Sequence, residues 1–178
     1  IVQSKGIKIG IASGRSKLVT AFTGILDILD FDFFVTTNGN LVIDKFDNVI
    51  YSNPMNKKGI DMVLNLVDKY ELNATFMTLD DFYIYRDIDE RAHLGFDPLS
   101  IPLPYKKEYK KENIYQINLF CEDEFMPYFK ETKKYLAYSR LAHYGYDIYT
   151  FTCKYNCIKD INQSDSLKLS LIIGEYKK

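Results

Sequence analysis

Ile7-Lys8-Ile9-Gly10-Ile11-Ala12-Ser13-Gly14-Arg15 carries an apolar run directly into a small hydroxyl, a glycine and a cation. The run reads as a buried strand, and the residues after it read as an amphipathic helix. Leu18, Phe22, Ile25, Leu26 and Leu29 stand at the i, i+3, i+4 spacing of one buried face. In an open α/β sheet, ligands bind at the carboxyl ends of the strands. There the first helical amides are unpaired, the helix dipole favours an anion, and glycine admits close backbone approach. Ser13 would add one hydroxyl donor to such a site. Taken alone, the Ser-Gly-Arg unit is equally well read as a helix cap.

A second stretch lies about two dozen residues on. Phe33-Phe34-Val35 ends in Thr36-Thr37-Asn38-Gly39-Asn40 and resumes as Leu41-Val42-Ile43-Asp44. Asn-Gly between two apolar runs signals a hairpin turn. The turn also falls at the end of what reads as the next parallel strand, beside Ser13.

Together these stretches resemble the haloacid-dehalogenase-like phosphatases, specifically the Cof-type branch with a large inserted cap. IGIASGR matches the family's second motif with Ser13 in the hydroxyl position, and TTNGN matches its Asn-Gly loop at Asn38 and Gly39. A third match runs from Asp147 to Ile158, where the family carries a short strand followed by Ser-Lys-x-x-Gly-Ile; Lys154 lines up with the lysine that contacts phosphate. Cys153 and Cys157 stand where the family has Ser and Gly.

The resemblance implies an α/β fold: a partial Rossmann-like core, a parallel sheet with helices, interrupted by an α+β cap of the C2 type. It implies a phosphatase acting on small phosphorylated metabolites, sugar phosphates or nucleotides, through an aspartyl-phosphate with Mg2+. Ser13 and Lys154 would be its catalytic residues in this chain, stabilising charge in the transition state. Gly14, Arg15, Asn38 and Gly39 would contact substrate at the core, and Arg86 and His93 would do so from the cap. For Arg15 and Arg86 an ordinary ion pair is the competing explanation, and for His93 an exposed loop position.

Two family motifs do not occur in these 178 residues: the Asp-x-Asp-Gly-Thr run that supplies the nucleophile, and the Gly-Asp-x-x-Asn-Asp run that helps hold magnesium. Gln163-Ser164-Asp165-Ser166 stands where the latter is expected, and Asp165 reads as a solvated loop acid. No metal ligand is therefore assigned. The chain is expected to be an incomplete core plus cap, inactive by itself and with an open sheet edge where a further strand would pair. A non-catalytic module that binds a small anion, or a purely structural α/β module, is the alternative.

Composition fits a folded chain. The hydrophobic share is 47% and there are 15 Tyr and 12 Phe, enough to fill a substantial core. Net charge is −1, and the only basic run, Lys106-Lys107-Glu108-Tyr109-Lys110-Lys111, is short and acid-interrupted, reading as a solvated loop rather than a nucleic-acid surface. Three cysteines make no disulfide framework, and the spacing of Cys153 and Cys157 makes a poor zinc site. No apolar run approaches the roughly 18 residues of a membrane span. These features lead to an expectation of a cytoplasmic protein without nucleic-acid or membrane partners.

Ser52-Asn53-Pro54 reads as the crossing into the cap, because proline fixes its own φ and biases Asn53 toward an extended conformation. The expected organisation is core 1–52, cap 53–145 and return to the core 146–178. Within the cap the sequence predicts a helix over 57–70, strands over 74–79 and 82–85 joined by a turn at Asp80-Asp81, and a long proline-bearing loop over 86–105. A strand over 114–121, a helix over about 123–136 and a strand over 138–142 complete it. This pattern predicts an antiparallel sheet with helices on one face.

Overall fold

The computed structural model describes residue 4, residues 6–99, 101–141 and 144–151, and the backbone of 169–172. The chain divides into two compact units, Ile1–Asn53 with Thr152–Lys178, and Pro54–Phe151.

The first unit is built on a five-stranded sheet. Strand β1 (Lys8–Ala12) leads to two short helices, α1 (Lys17–Ala21) and α2 (Ile25–Ile28), followed by β2 (Phe33–Thr36), β3 (Leu41–Asp44) and β4 (Val49–Ser52). β1 and β2 run parallel with Ala12 opposite Val35, whereas β2–β3 and β3–β4 are antiparallel. The strand farthest along the chain, Leu169–Ile172, pairs parallel with β1 from Lys8 to Ile11. β1 is thus flanked on both sides, and the open edge expected of the core is not found at this strand. Phe33, Val35 and Val42 form the core of this unit, with Ala12 and Tyr51 packed against them.

The helical segment departs from its sequence pattern. Gly24, at φ 72°, breaks it into α1 and α2, and Ser16 rather than Ser13 caps α1 by accepting from the Val19 amide. The buried face also differs from the expected stripe. Val19 and Thr20 are buried, while Leu18 and Phe22, expected in the core, are 42% and 53% exposed.

The second unit carries helix α3 (Lys57–Lys69) and strands β5 (Asn73–Met77) and β6 (Phe82–Ile84), then α4 (Glu90–Phe96), β7 (Tyr105–Lys106), β8 (Gln116–Phe120), β9 (Ala137–Arg140) and β10 (Tyr146–Tyr149). Their order across the sheet is β7-β6-β5-β8-β10-β9, antiparallel except for β6–β7. α3 forms because Asn56 caps it, accepting from the Gly59 amide at 3.2 Å, and because Ile60, Val63, Leu64 and Val67 make one continuous apolar face. Burying side chains of this kind contributes about 1.5–3 kcal/mol each. They pack on Ala74, Phe76, Ile117, Leu119 and Ile148.

Three features differ from the sequence expectation. Asp123–Lys134 is a run of 3-10 turns with Pro127 inside, because proline has no N–H to continue an α-helical ladder. Residues 90–96, read as loop, form α4, capped by Asp89, which accepts from the Ala92 amide at 2.9 Å. Phe96 of α4 meets Phe120 with ring centroids 5.1 Å apart, on the sheet face opposite Ile117 and Leu119. Helices therefore lie against both faces of this sheet rather than one. Finally, Tyr146–Tyr149, read as the start of the return to the core at 146, is hydrogen-bonded between β8 and β9.

Cys121 is buried and free, and burial pushes its thiol up to about 12. The basic run is locally neutralised, with Lys106 paired to Asp87 at 2.7 Å and Lys107 to Asp81 at 2.5 Å. No helix among the described residues is long and apolar enough to cross a membrane.

Asp81 sits at the β5–β6 turn, where burial alone pushes its carboxyl up. The Lys107 ammonium and the Tyr105 hydroxyl outweigh that effect and hold it below the ordinary carboxylate range. A carboxyl depressed in the folded state stabilises above its unfolded pKa of about 4, and that contribution is lost as pH falls below it. We expect Lys107→Met to flatten the acid limb of the stability profile. Denaturant unfolding at pH 5 and pH 3 measures this, and equal slopes for both proteins would discount the pair.

Candidate functional site

Two turns meet at the carboxyl ends of β1 and β2. The Ser13 amide donates to the Val35 carbonyl at 2.8 Å, and the Thr37 amide donates to the Arg15 carbonyl at 3.2 Å, so each turn is fastened to the other's strand or turn. A Cβ placed on Gly14 would lie 3.0 Å from Asn38 Oδ1, which puts the two turns in van der Waals contact. Glycine is what permits this approach.

Within the first turn, the Arg15 amide donates to Ser13 Oγ at 3.0 Å. The hydroxyl thereby spends an acceptor position on its own turn and retains its proton as a donor. Among the described residues no group accepts that proton. Arg15 likewise has no carboxylate partner among the described residues, so the ion pair that competed with an anion contact is not present there. Ser13, Gly14 and Arg15 are all half-buried.

The second turn is conformationally costly. Thr37, Asn38 and Gly39 have φ of 48°, 59° and 88°, three consecutive residues in the left-handed region. Glycine adopts it freely and asparagine tolerably, but a β-branched threonine does not. Asn40 holds the turn closed from inside, its backbone and side-chain nitrogens both donating to the Thr37 carbonyl at 3.2 and 2.9 Å. Nothing but the letter pattern TTNGN hints at Thr37 or Asn40; their burial and backbone angles are not visible in sequence.

The donor set at these turns comprises hydroxyls, amides and a guanidinium. Magnesium needs hard oxygen ligands, chiefly carboxylates, and among the described residues no group of three or more His, Cys, Asp or Glu could hold a metal ion. These residues do not fit Mg2+. They fit an anion.

The remaining site residues from the sequence are placed as follows. Arg86 lies in the second unit, ion-paired to Asp68 at 2.8 Å, in a groove of about 630 Å³ that also includes Glu71, Asp87, Asp89 and Glu108. The acids outnumber Arg86 and Lys106 there, a poor setting for a phosphate. His93 lies on the exposed side of α4 with Nδ1 3.4 Å from Asp97 Oδ1. Lys154, with Cys153, Cys157 and Asp165, lies outside the described residues.

The sheet of the first unit is parallel around β1 and antiparallel beyond β2, the second unit is inserted within the first along the chain, and the two turns stand at the ends of the parallel strands. The haloacid dehalogenase-like hydrolase family model matches residues 1–173, and the chain belongs to that family. Among curated relatives it is 31% identical over 142 residues to the "Putative phosphatase YkrA" of Bacillus subtilis (strain 168), covering 77% of this chain and 51% of that one. The chain thus spans about half the length of this relative. Among solved structures, a hypothetical protein from Geobacillus kaustophilus HTA426 superposes with a TM-score of 0.80 at 22% identity, over 94% of this chain and 65% of the other. The sugar phosphatase BT4131, of subclass IIB, gives a TM-score of 0.75 at 17% identity, over 94% and 66%. The fold expectation of a Rossmann-like core with a cap is therefore borne out.

Proposed function

We propose that the paired turns bind the phosphate of a small phosphorylated metabolite, a sugar phosphate or nucleotide, as part of a Cof-type phosphatase. The observation that carries this reading is the Ser13 hydroxyl, held by the Arg15 amide so that its proton is left to donate, beside a guanidinium with no described counter-ion. Ser13 would donate to a phosphate oxygen, Arg15 would balance its charge, and Asn38 and Gly39 would border the phosphate. Lys154 would add a second cation, as the family motif implies. Arg86 and His93 would make substrate contacts from the cap region over 53–145.

The family's covalent aspartyl-phosphate route needs an aspartate nucleophile, and the motif that supplies it does not occur in these 178 residues. Mg2+ belongs to the family's chemistry, where it neutralises phosphate oxygens, yet the described residues do not supply its ligands. The chain alone is accordingly proposed to bind phosphate without turning over a phosphomonoester. This same observation favours a second reading, a small-anion-binding module without catalysis.

Titration of the 178-residue chain with inorganic phosphate, followed by calorimetry, tests the site. Hydrogen bonds to charged groups contribute about 1.5–3 kcal/mol, so Ser13→Ala is expected to weaken phosphate binding roughly 10- to 100-fold. Equal affinities for the two proteins would remove Ser13 from the site. A parallel assay of aryl phosphate hydrolysis with Mg2+ separates the readings: turnover by this chain would overturn the proposal that it is inactive alone.

A further inference from the structure

The residue at this site that sequence reasoning passed over is Thr37. Its side chain is fully buried, yet Oγ1 has no hydrogen-bond partner among the described residues. Other buried threonine hydroxyls of the chain satisfy themselves on backbone carbonyls: Thr20 on Ser16 at 2.8 Å, Thr36 on Leu41 at 3.1 Å and Thr132 on Phe129 at 2.6 Å. Buried polar groups without partners are rare, and each one in a folded protein calls for a reason.

Thr37 also holds a left-handed backbone at φ 48°. Valine would have the same shape without a hydroxyl to desolvate, and glycine or asparagine would adopt that φ with less strain. Neither economy is taken. Strained residues of this sort cluster where a ligand is clamped. The Thr37 backbone is meanwhile fully used, donating to Arg15 and accepting twice from Asn40, so that only the hydroxyl is left over.

We infer that Thr37 supplies a second hydroxyl, beside that of Ser13, to a phosphate oxygen held at these turns. The inference rests on the phosphate-binding reading of the Ser13 turn and extends it by one residue. Because Thr37 is enclosed, a phosphate oxygen reaches its hydroxyl only when the turn opens. Binding would therefore relieve the orphaned hydroxyl.

The test compares phosphate affinity with thermal stability in the full chain, using inorganic phosphate as the probe. Thr37→Val should weaken phosphate binding about tenfold while its melting temperature equals or exceeds that of the parent. Thr37→Ser should bind within about twofold of the parent. If the valine variant does not fold, Thr37→Ala against Thr37→Ser poses the same question, since both lose the methyl and only serine keeps the hydroxyl. Valine or alanine variants that bind as tightly as the parent overturn the inference. If Ser13→Ala loses binding while they do not, the phosphate site survives and Thr37 alone drops out; a parent chain that binds no phosphate removes both.

Discussion

Phe76→Ala is expected to lower the stability of the second unit by about 3–5 kcal/mol, the range for emptying a buried phenylalanine site. Phe76 is fully buried on β5 and is the hub of an aromatic cluster. Its ring stacks on Tyr83 at 5.4 Å and on Tyr109 at 5.6 Å with planes 8° apart, and meets Tyr85 edge-on at 6.0 Å. Three rings lose a partner at once, and Tyr83 is kept from filling the void because it is itself fully buried and its hydroxyl is tied to Glu112. At roughly 2–4 °C per kcal/mol for a chain of this size, the melting transition should fall by about 6–20 °C. Phe46→Ala, at a ring 74% exposed, is the control and should stay within about 0.5 kcal/mol. A loss below about 1 kcal/mol at Phe76 would mean that the cluster is not the core of this unit.

Gly145→Ala is the second large effect. Gly145 closes the turn between β9 and β10, its carbonyl accepting from the Leu141 amide at 3.0 Å, with φ at 97°. A Cβ there would lie 2.2 Å from the Leu119 carbonyl oxygen. That oxygen is backbone in the central strand β8, so it has no rotamer to retreat into. Left-handed strain of about 1–2 kcal/mol adds to overpacking of about 1–3 kcal/mol, and a total near 3 kcal/mol or more is expected from denaturant unfolding. Gly24→Ala isolates the strain component: φ is 72°, but nothing lies within 4 Å of its added Cβ. It should cost only about 1 kcal/mol. Equal losses at the two glycines would argue against the β8–β10 pairing that brings Leu119 to Gly145.

The site was legible in sequence to the extent that it is local. Ser13, Gly14 and Arg15 follow an apolar strand, and Asn38-Gly39 follows another; strand period and turn chemistry are enough to put both at strand ends. That the two strands pair in parallel with Ala12 opposite Val35 is what makes the turns neighbours. Thr37 is not legible in the sequence, because its backbone is fixed by hydrogen bonds to Arg15 and Asn40 that no spacing rule encodes. For Arg86 the sequence offers either a substrate contact or an ion pair, and the structure places Asp68 beside it.

By itself, then, the sequence determined the two strands that lead into the turns, the α/β class, the family resemblance and the buried face of α3, because each follows from periodicity or from short motifs read along the chain. It determined equally that an aspartate nucleophile motif is not among these residues. The tertiary structure alone decided which apolar side chains are covered. Leu18 and Phe22 fit a helical stripe yet stand exposed, while α1 buries Val19 and Thr20 instead. It alone decided that Tyr146–Tyr149 joins the second sheet, because strand pairing is a long-range choice made by the β8 edge. It alone set Thr37 against Arg15. Periodicity reports what one element offers to its surroundings; which offer is taken depends on partners that only folding brings within reach.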